Sequence, residues 1–279
     1  MLTRSSRLFA SATTRRPAWQ SRLFSASRLV ADASSETLAQ NKAPKIRRFW
    51  RTVNVSEHSD GLAVELDGRP IKTPDGSAVR LPTSQTILAT LMAGEWESQR
   101  EFLGAHSLPL TALVCRSIDG LNDSNVRKDV AEKLLKYFHT DSACLHEEFP
   151  QALVELQDKH YRPIVDWAAE RYGIKINVTA NLFTLRQEQE AEEALRKVVL
   201  EFSPLKLAAF EKAVMTAKSF LIALALVERR ISVEQAAMAA QVEATAQTQL
   251  WGELENAHDI DNAAMRQILG ASACAVLTE

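Results

Sequence analysis

Two hydrophobic periods succeed one another along this chain. Between residues 47 and 81 apolar side chains tend to alternate with polar ones, as in half-buried strands; beyond residue 84 they recur three and four apart, as on one face of a helix. Ordered structure is expected to open at Arg47-Arg48-Phe49-Trp50, with Val53 and Val55 continuing a first strand. Residues 62–66 predict a second strand that runs into Asp67-Gly68, a pair suited to a type I′ hairpin turn because that turn needs positive φ at both central positions. Residues 71–73 and 78–81, separated by the turn Pro74-Asp75-Gly76, predict a third and a fourth strand, giving an antiparallel meander.

Pro82-Thr83-Ser84 then stops the sheet and offers a helix N-cap. Leu88, Met92 and Trp96 recur four apart, so residues 84–100 predict an amphipathic helix with that stripe inward. Two more helices are expected over 109–120 and 126–138. A longer one over 151–172 carries Leu153, Leu156, Ile164, Ala168 and Tyr172 on one face, with Pro163 set to kink or divide it. Residues 174–178 read as a short strand or an extended link. From Gln187 the pattern is helical almost throughout: 187–202, then one long helix from Ser203-Pro204 to about Arg229, then a helix capped by Ser232 whose stripe runs from Val233 to Trp251. The fold class is α+β, an N-terminal antiparallel meander with helices followed by an all-helical C-terminal part. The expected division is a leader over 1–45, an α+β domain over 46–180 and a helical domain over 181–279.

The first 31 residues stand apart. They hold six arginines, six serines, no lysine and no acidic residue, the composition of an organelle transit peptide, and Arg22-Leu23-Phe24 before Ser25 resembles a matrix-protease site. Removing residues 1–24 takes away five arginines and moves the formal net charge from −2 to −7. An acidic mature chain lacks the basic field that nucleic-acid binding requires. No run reaches the ~18–20 apolar residues of a membrane span; the strongest, from Phe220 to Val227, predicts a buried core helix in a soluble protein.

Nine glycines cannot be arranged into a dinucleotide-binding or phosphate-loop motif, and three dispersed cysteines (Cys115, Cys144, Cys274) form no paired metal or disulfide pattern. No cofactor is implied. His139, Asp141, Cys144 and His146 lie close in sequence but match no metal-ligand spacing. Glu253, Glu255, His258, Asp259 and Asp261 form an acidic cluster open to three readings: paired carboxylates for acid–base chemistry, a solvated polar face, or an acidic docking patch. Trp96 and Trp251 both extend apolar stripes, which favours core packing, although aromatics also anchor interfaces.

A set of motifs, in order, carries a resemblance. It comprises Phe49-Trp50, Leu66-Asp67-Gly68-Arg69-Pro70-Ile71-Lys72-Thr73-Pro74, Leu81-Pro82-Thr83, Glu95-Trp96-Glu97-Ser98-Gln99 and Leu108-Pro109-Leu110-Thr111. Leu134-Leu135-Lys136-Tyr137-Phe138-His139-Thr140-Asp141, Trp167-Ala168-Ala169-Glu170-Arg171-Tyr172-Gly173 and Trp251-Gly252-Glu253-Leu254-Glu255-Asn256-Ala257-His258-Asp259 complete it. From about residue 47 to 270 the chain resembles the mitochondrial ATP synthase F(1) complex assembly factor 2 family, departing at Asn256, where mitochondrial relatives often carry an aromatic. The resemblance implies a non-enzymatic, nucleotide-independent chaperone of the mitochondrial matrix, monomeric when free, that covers the unassembled alpha subunit until the beta subunit displaces it. On that reading the contact residues are Glu253, Glu255 and Asp259, with Trp251 and Trp96 shaping the surface and Asp141 as a further candidate. The alternative is a matrix hydrolase or lyase using the cluster at 253–261; a third is a scaffold of another complex.

Overall fold

The computed structural model describes residues 46–252 and 259–277. The leader expected over 1–45 lies outside them, as do Glu253, Glu255 and His258. The described residues from 47 onward group as one compact unit.

A three-stranded antiparallel sheet opens the fold: β1 (Val53–His58), β2 (Gly61–Leu66) and β3 (Arg69–Pro70), with β2 central. Val55 faces Val64 and His58 faces Gly61 across the β1–β2 pairing. Asp67 and Gly68 have φ of 49° and 77°, the double positive φ expected of the hairpin turn. The Asp67 carboxylate accepts hydrogen bonds from the Arg51 and Thr52 amides at 3.0 and 2.9 Å, tying the turn to the start of β1.

The expected third and fourth strands contract to β3 and two isolated bridges, Lys72 with Ala78 and Leu62 with Leu81. Pro70 and Pro74 lack amide hydrogens and interrupt the ladder, which keeps single bonds such as those from the Ile71 amide to the Val64 carbonyl and from the Val79 amide to the Ile71 carbonyl. The 79–81 segment instead closes on the head of β2, where the Leu62 amide donates to the Leu81 carbonyl at 2.7 Å. Gly61 (φ 127°) permits that approach, since a Cβ there would sit 2.4 Å from the same carbonyl oxygen.

Eleven α-helices follow among the described residues. They are α1 (Thr86–Glu97), α2 (Pro109–Asp119), α3 (Ser124–His139), α4 (Gln151–His160), α5 (Arg162–Tyr172) and α6 (Gln189–Glu201). The rest are α7 (Pro204–Ala217), α8 (Phe220–Val227), α9 (Val233–Ala240), α10 (Val242–Trp251) and α11 (Asp259–Ala275). Pro163 does divide the 151–172 helix: α4 ends at His160, and Pro163 falls in the first turn of α5, where its missing amide hydrogen sacrifices no bond. Residues 174–178 are an extended link rather than a strand; the following residue, Thr179, makes a single bridge to Leu145.

The long helix expected from 204 to 229 is two helices. Lys218 turns left-handed (φ 56°), and the Ser219 hydroxyl accepts from the Ile222 amide at 3.1 Å to start α8 afresh. The helix expected from 233 to 251 likewise divides at Gln241.

The buried apolar residues form one cluster running from Trp50 to Val276. Phe138 of α3 and Phe220 of α8, from opposite sides of residue 180, have ring centroids 5.7 Å apart within it. At its centre α8 contributes Phe-Leu-Ile-Ala-Leu-Ala-Leu-Val, every residue 2% exposed or less, surrounded by α3, α5, α7, α9 and α11. This is why the most apolar run of the chain is short and tolerates no polar side: it has no solvent face. No helix among the described residues is long and apolar enough to cross a membrane.

Candidate partner-binding surface

The residues expected to meet a partner fall into three settings. Trp251 closes α10. Val242 and Ala246 bury one side of that helix, against α4, while Leu250 is half-exposed and Trp251 is 79% exposed. Gly252 (φ 86°) ends the helix. Beyond residues 253–258 the chain enters α11 at Asp259, with Asp261 also in its first turn, where the positive end of the helix dipole favours carboxylates. Ile260, between them, is 82% exposed. Exposed groups thus stand on either side of residues 253–258 in the chain: Trp251 before them, Asp259 and Ile260 after them. The core-packing expectation for Trp251 does not hold, because α10 reaches its neighbours through the opposite face and stops at the surface.

Trp96 has a different setting. Its ring packs edge-on against Trp50 at 5.1 Å, and its indole N–H donates to the Thr111 hydroxyl at 3.1 Å. Its neighbour Glu95 accepts from the Leu110 amide at 2.6 Å and the Thr111 amide at 2.9 Å. Leu108, the residue preceding α2, has no side-chain cap of its own. Glu95 thus supplies from α1 the acceptors that the first turn of α2 lacks. Burial raises the Glu95 carboxyl above its ordinary range, against the lowering effect of those hydrogen bonds. The motifs around Glu95-Trp96 and Pro109-Leu110-Thr111 are thus two sides of one splint.

Asp141 is fully buried. One carboxylate oxygen accepts from the Ala143 amide at 3.0 Å, the other from the Leu221 amide at 2.9 Å, so it joins the turn after α3 to the start of α8. Desolvation pushes its pKa up to about 6, moderated by hydrogen bonds from Ser219, Leu221, Ala143 and Phe220. Its neighbours in sequence go elsewhere: His139 lies 3.2 Å from Glu192, His146 bonds the Ala143 carbonyl, and burial raises the Cys144 thiol. Among the described residues no three histidine, cysteine or carboxylate groups converge as metal ligands.

A feature that the sequence reading did not isolate is a groove of about 510 Å³ between α2, α7 and α11. Each wall is a helical stripe: Pro109, Ala112, Leu113 and Arg116 on α2; Ala208, Glu211, Lys212 and Met215 on α7; Ala264, Gln267, Ile268 and Ala271 on α11. The stripes were visible as periodicity, but their exposure follows from how three helices meet. Arg116 and Glu211 pair across it at 2.9 Å. Outside the groove, α11 is anchored to α9 by Arg266 and Glu234, two contacts of 2.8 Å, and by the Gln241–Asn262 side-chain bond.

This fold and these motifs have known counterparts. Residues 47–169 match the family described as ATP12 chaperone protein. The chain is 30% identical to the mitochondrial protein atp12 of Schizosaccharomyces pombe over 82% of both chains, and 30% identical to the mitochondrial protein ATP12 of Saccharomyces cerevisiae over 84% of both. Among solved structures it superposes on Atp12 from Paracoccus denitrificans with a TM-score of 0.70 and 29% identity, covering 83% of this chain and 96% of that one. Sustained over these lengths, the similarity places the protein in the ATP12 chaperone family: it is a mitochondrial assembly chaperone for the F(1) sector of ATP synthase, not an enzyme.

Proposed function

We propose that the client is the unassembled alpha subunit of the F(1) sector, covered in the matrix until the beta subunit displaces the chaperone. The observation that carries this reading is the exposure of Trp251 at the end of α10 and of Asp259 and Ile260 at the start of α11. A subunit awaiting assembly presents an obligate interface, which is large and apolar, and such surfaces aggregate when left bare. A temporary cover needs apolar anchors to bind and charge to set orientation and keep the free chaperone dispersed. Trp251 and Ile260 offer the anchors, and Asp259 a charge. Trp96 and Asp141 serve the same reading indirectly, by fixing α2 and α8 rather than by touching the client. The carboxylates of 253–261 then act as docking charges, not as a catalytic pair.

The test uses the mature chain, residues 25–279, immobilised and offered isolated alpha and beta subunits in turn. Retention of alpha and not beta is expected, with Glu255→Lys weakening retention while circular dichroism stays unchanged. Equal retention of beta, or undiminished binding by the folded variant, would sink the assignment.

A further inference from the structure

The groove between α2, α7 and α11 shares a helix with Asp259 and Ile260. On α11, Ile260, Ala264, Ile268 and Ala271 lie at i, i+4, i+8 and i+11, a single face. That face begins at the 82% exposed Ile260, continues over exposed Ala264 and half-buried Ile268, and ends at buried Ala271 in the groove. At ~1.5 Å per residue the stripe runs about 16 Å, three helical turns. Its first half, Ile260 and Ala264, is apolar surface that packing has left uncovered.

The walls restrict what can lie there. Ala112, Ala208, Ala264 and Ala271 carry single methyl groups, so a partner's backbone can come within the ~8 Å of close helix packing. Apart from His106, in the short turn before α2, the lining residues belong to α-helices, and no strand edge lines the groove. An extended segment buried here would leave its own backbone groups without partners; a helix would not. Met215, 51% exposed on the lip, is an unbranched side chain suited to moulding against an incoming surface. The charges set the sign. Arg116 and Glu211 neutralise one another, whereas Lys212 is exposed and has no ion-pair partner among the described residues.

We propose that this groove receives an amphipathic helix of the alpha subunit, its apolar face on the alanine-lined walls and an acidic side chain against Lys212. The inference rests on the alpha-subunit reading above and adds a second, helical contact to it. The chaperone then holds its client at two places: through Trp251 and the acidic start of α11, and through the apolar groove with Lys212 on its α7 wall.

The test measures binding of isolated alpha subunit to the mature chain and to Ala264→Trp, Ala112→Trp and Lys212→Glu. Both tryptophans enter from exposed positions and fill the groove from opposite walls, so circular dichroism and the unfolding midpoint should not move. Each is expected to weaken alpha binding about tenfold or more. Lys212→Glu should weaken it less and should flatten its salt dependence. Undiminished binding by both folded tryptophan variants overturns the groove and leaves the alpha-subunit reading standing. Failure of the wild-type chain to bind alpha at all sinks that reading, and this inference with it. A wild-type dimer that Ala264→Trp converts to monomer would assign the groove to a second copy and also overturn the proposal.

Discussion

Helices α8 and α11 are both built largely from apolar and small residues, and the protein treats them in opposite ways. Around α8 five helices close completely, so Phe220 to Val227 see no solvent. Its exposed-amide problem, inherent in any helix N-terminus, is solved internally by Ser219 and by Asp141 from a distant turn. Around α11 the closure is partial. Leu269, Ser272 and Ala275 are buried, but Ile260 and Ala264 are exposed and Ile268 is half-buried in the groove. One helix is completed by its own fold; the other keeps a face that a partner can complete. Hydrophobic character thus does not separate core from interface, because what separates them is whether the surrounding elements arrive on every side.

The comparison breaks most readily at the covered helix. Leu224→Ala opens a cavity that five rigid neighbours cannot refill, and should lower stability by about 2–5 kcal/mol in urea unfolding. A loss below about 1 kcal/mol would show that α8 is not held as described.

Next in size is Glu95→Ala, which strips acceptors from the Leu110 and Thr111 amides and should cost about 1 kcal/mol. Since α2 forms one wall of the groove, fraying should appear as faster amide hydrogen exchange at residues 110–112. Unchanged exchange there would remove the splint from the account.

The pH response of Asp141 sharpens the contrast further. Its folded pKa, about 6, exceeds the unfolded 3.8, so the native state binds more protons between those values. Its protonation therefore favours the fold below pH 3.8, and this contribution is lost as pH rises through about 6. Melting temperatures of wild type and Asp141→Asn, compared at pH 7 and pH 5, should shift in favour of wild type at the lower pH. A difference that stays constant would mean the carboxyl does not titrate there.

The smallest stability effect should come from the open helix. Ala264→Trp lies on a surface the fold leaves bare, and its unfolding free energy should stay within about 0.5 kcal/mol of wild type. A large destabilisation would mean that the groove is packed core.

Much of the architecture was readable from local chemistry. Asp67-Gly68 announced its turn, Ser232 the start of α9, and Pro163 the division of α4 from α5. These signals involve residues within a few positions of one another. The misreadings share a cause as well. Residues 204–229 read as one helix because periodicity continues through Lys218, while the break is secured by Ser219 and by Asp141, which lies 80 positions from Leu221. The Ser219 cap was available as a signal, but an apolar stripe outweighed it. Trp251 read as core because it continues a stripe that extends past the helices covering it.

The motif set was equally legible as a family signature, yet its residues do unlike jobs. Glu95 and Thr111 meet each other, Asp141 meets a helix start, and Trp251 meets solvent. Nothing in one-dimensional spacing distinguishes these fates.

What the amino-acid order settled was local: which segments turn, which coil, where most helices begin, and which face of each is apolar, since these follow from backbone sterics, capping and side-chain period. What waited for the folded chain was coverage: that α8 is enclosed, that Glu95 caps another helix, and that α2, α7 and α11 meet with a groove left open between them. Coverage depends on contacts between residues tens to more than a hundred positions apart, and no local pattern encodes whether a neighbour comes to fill the space.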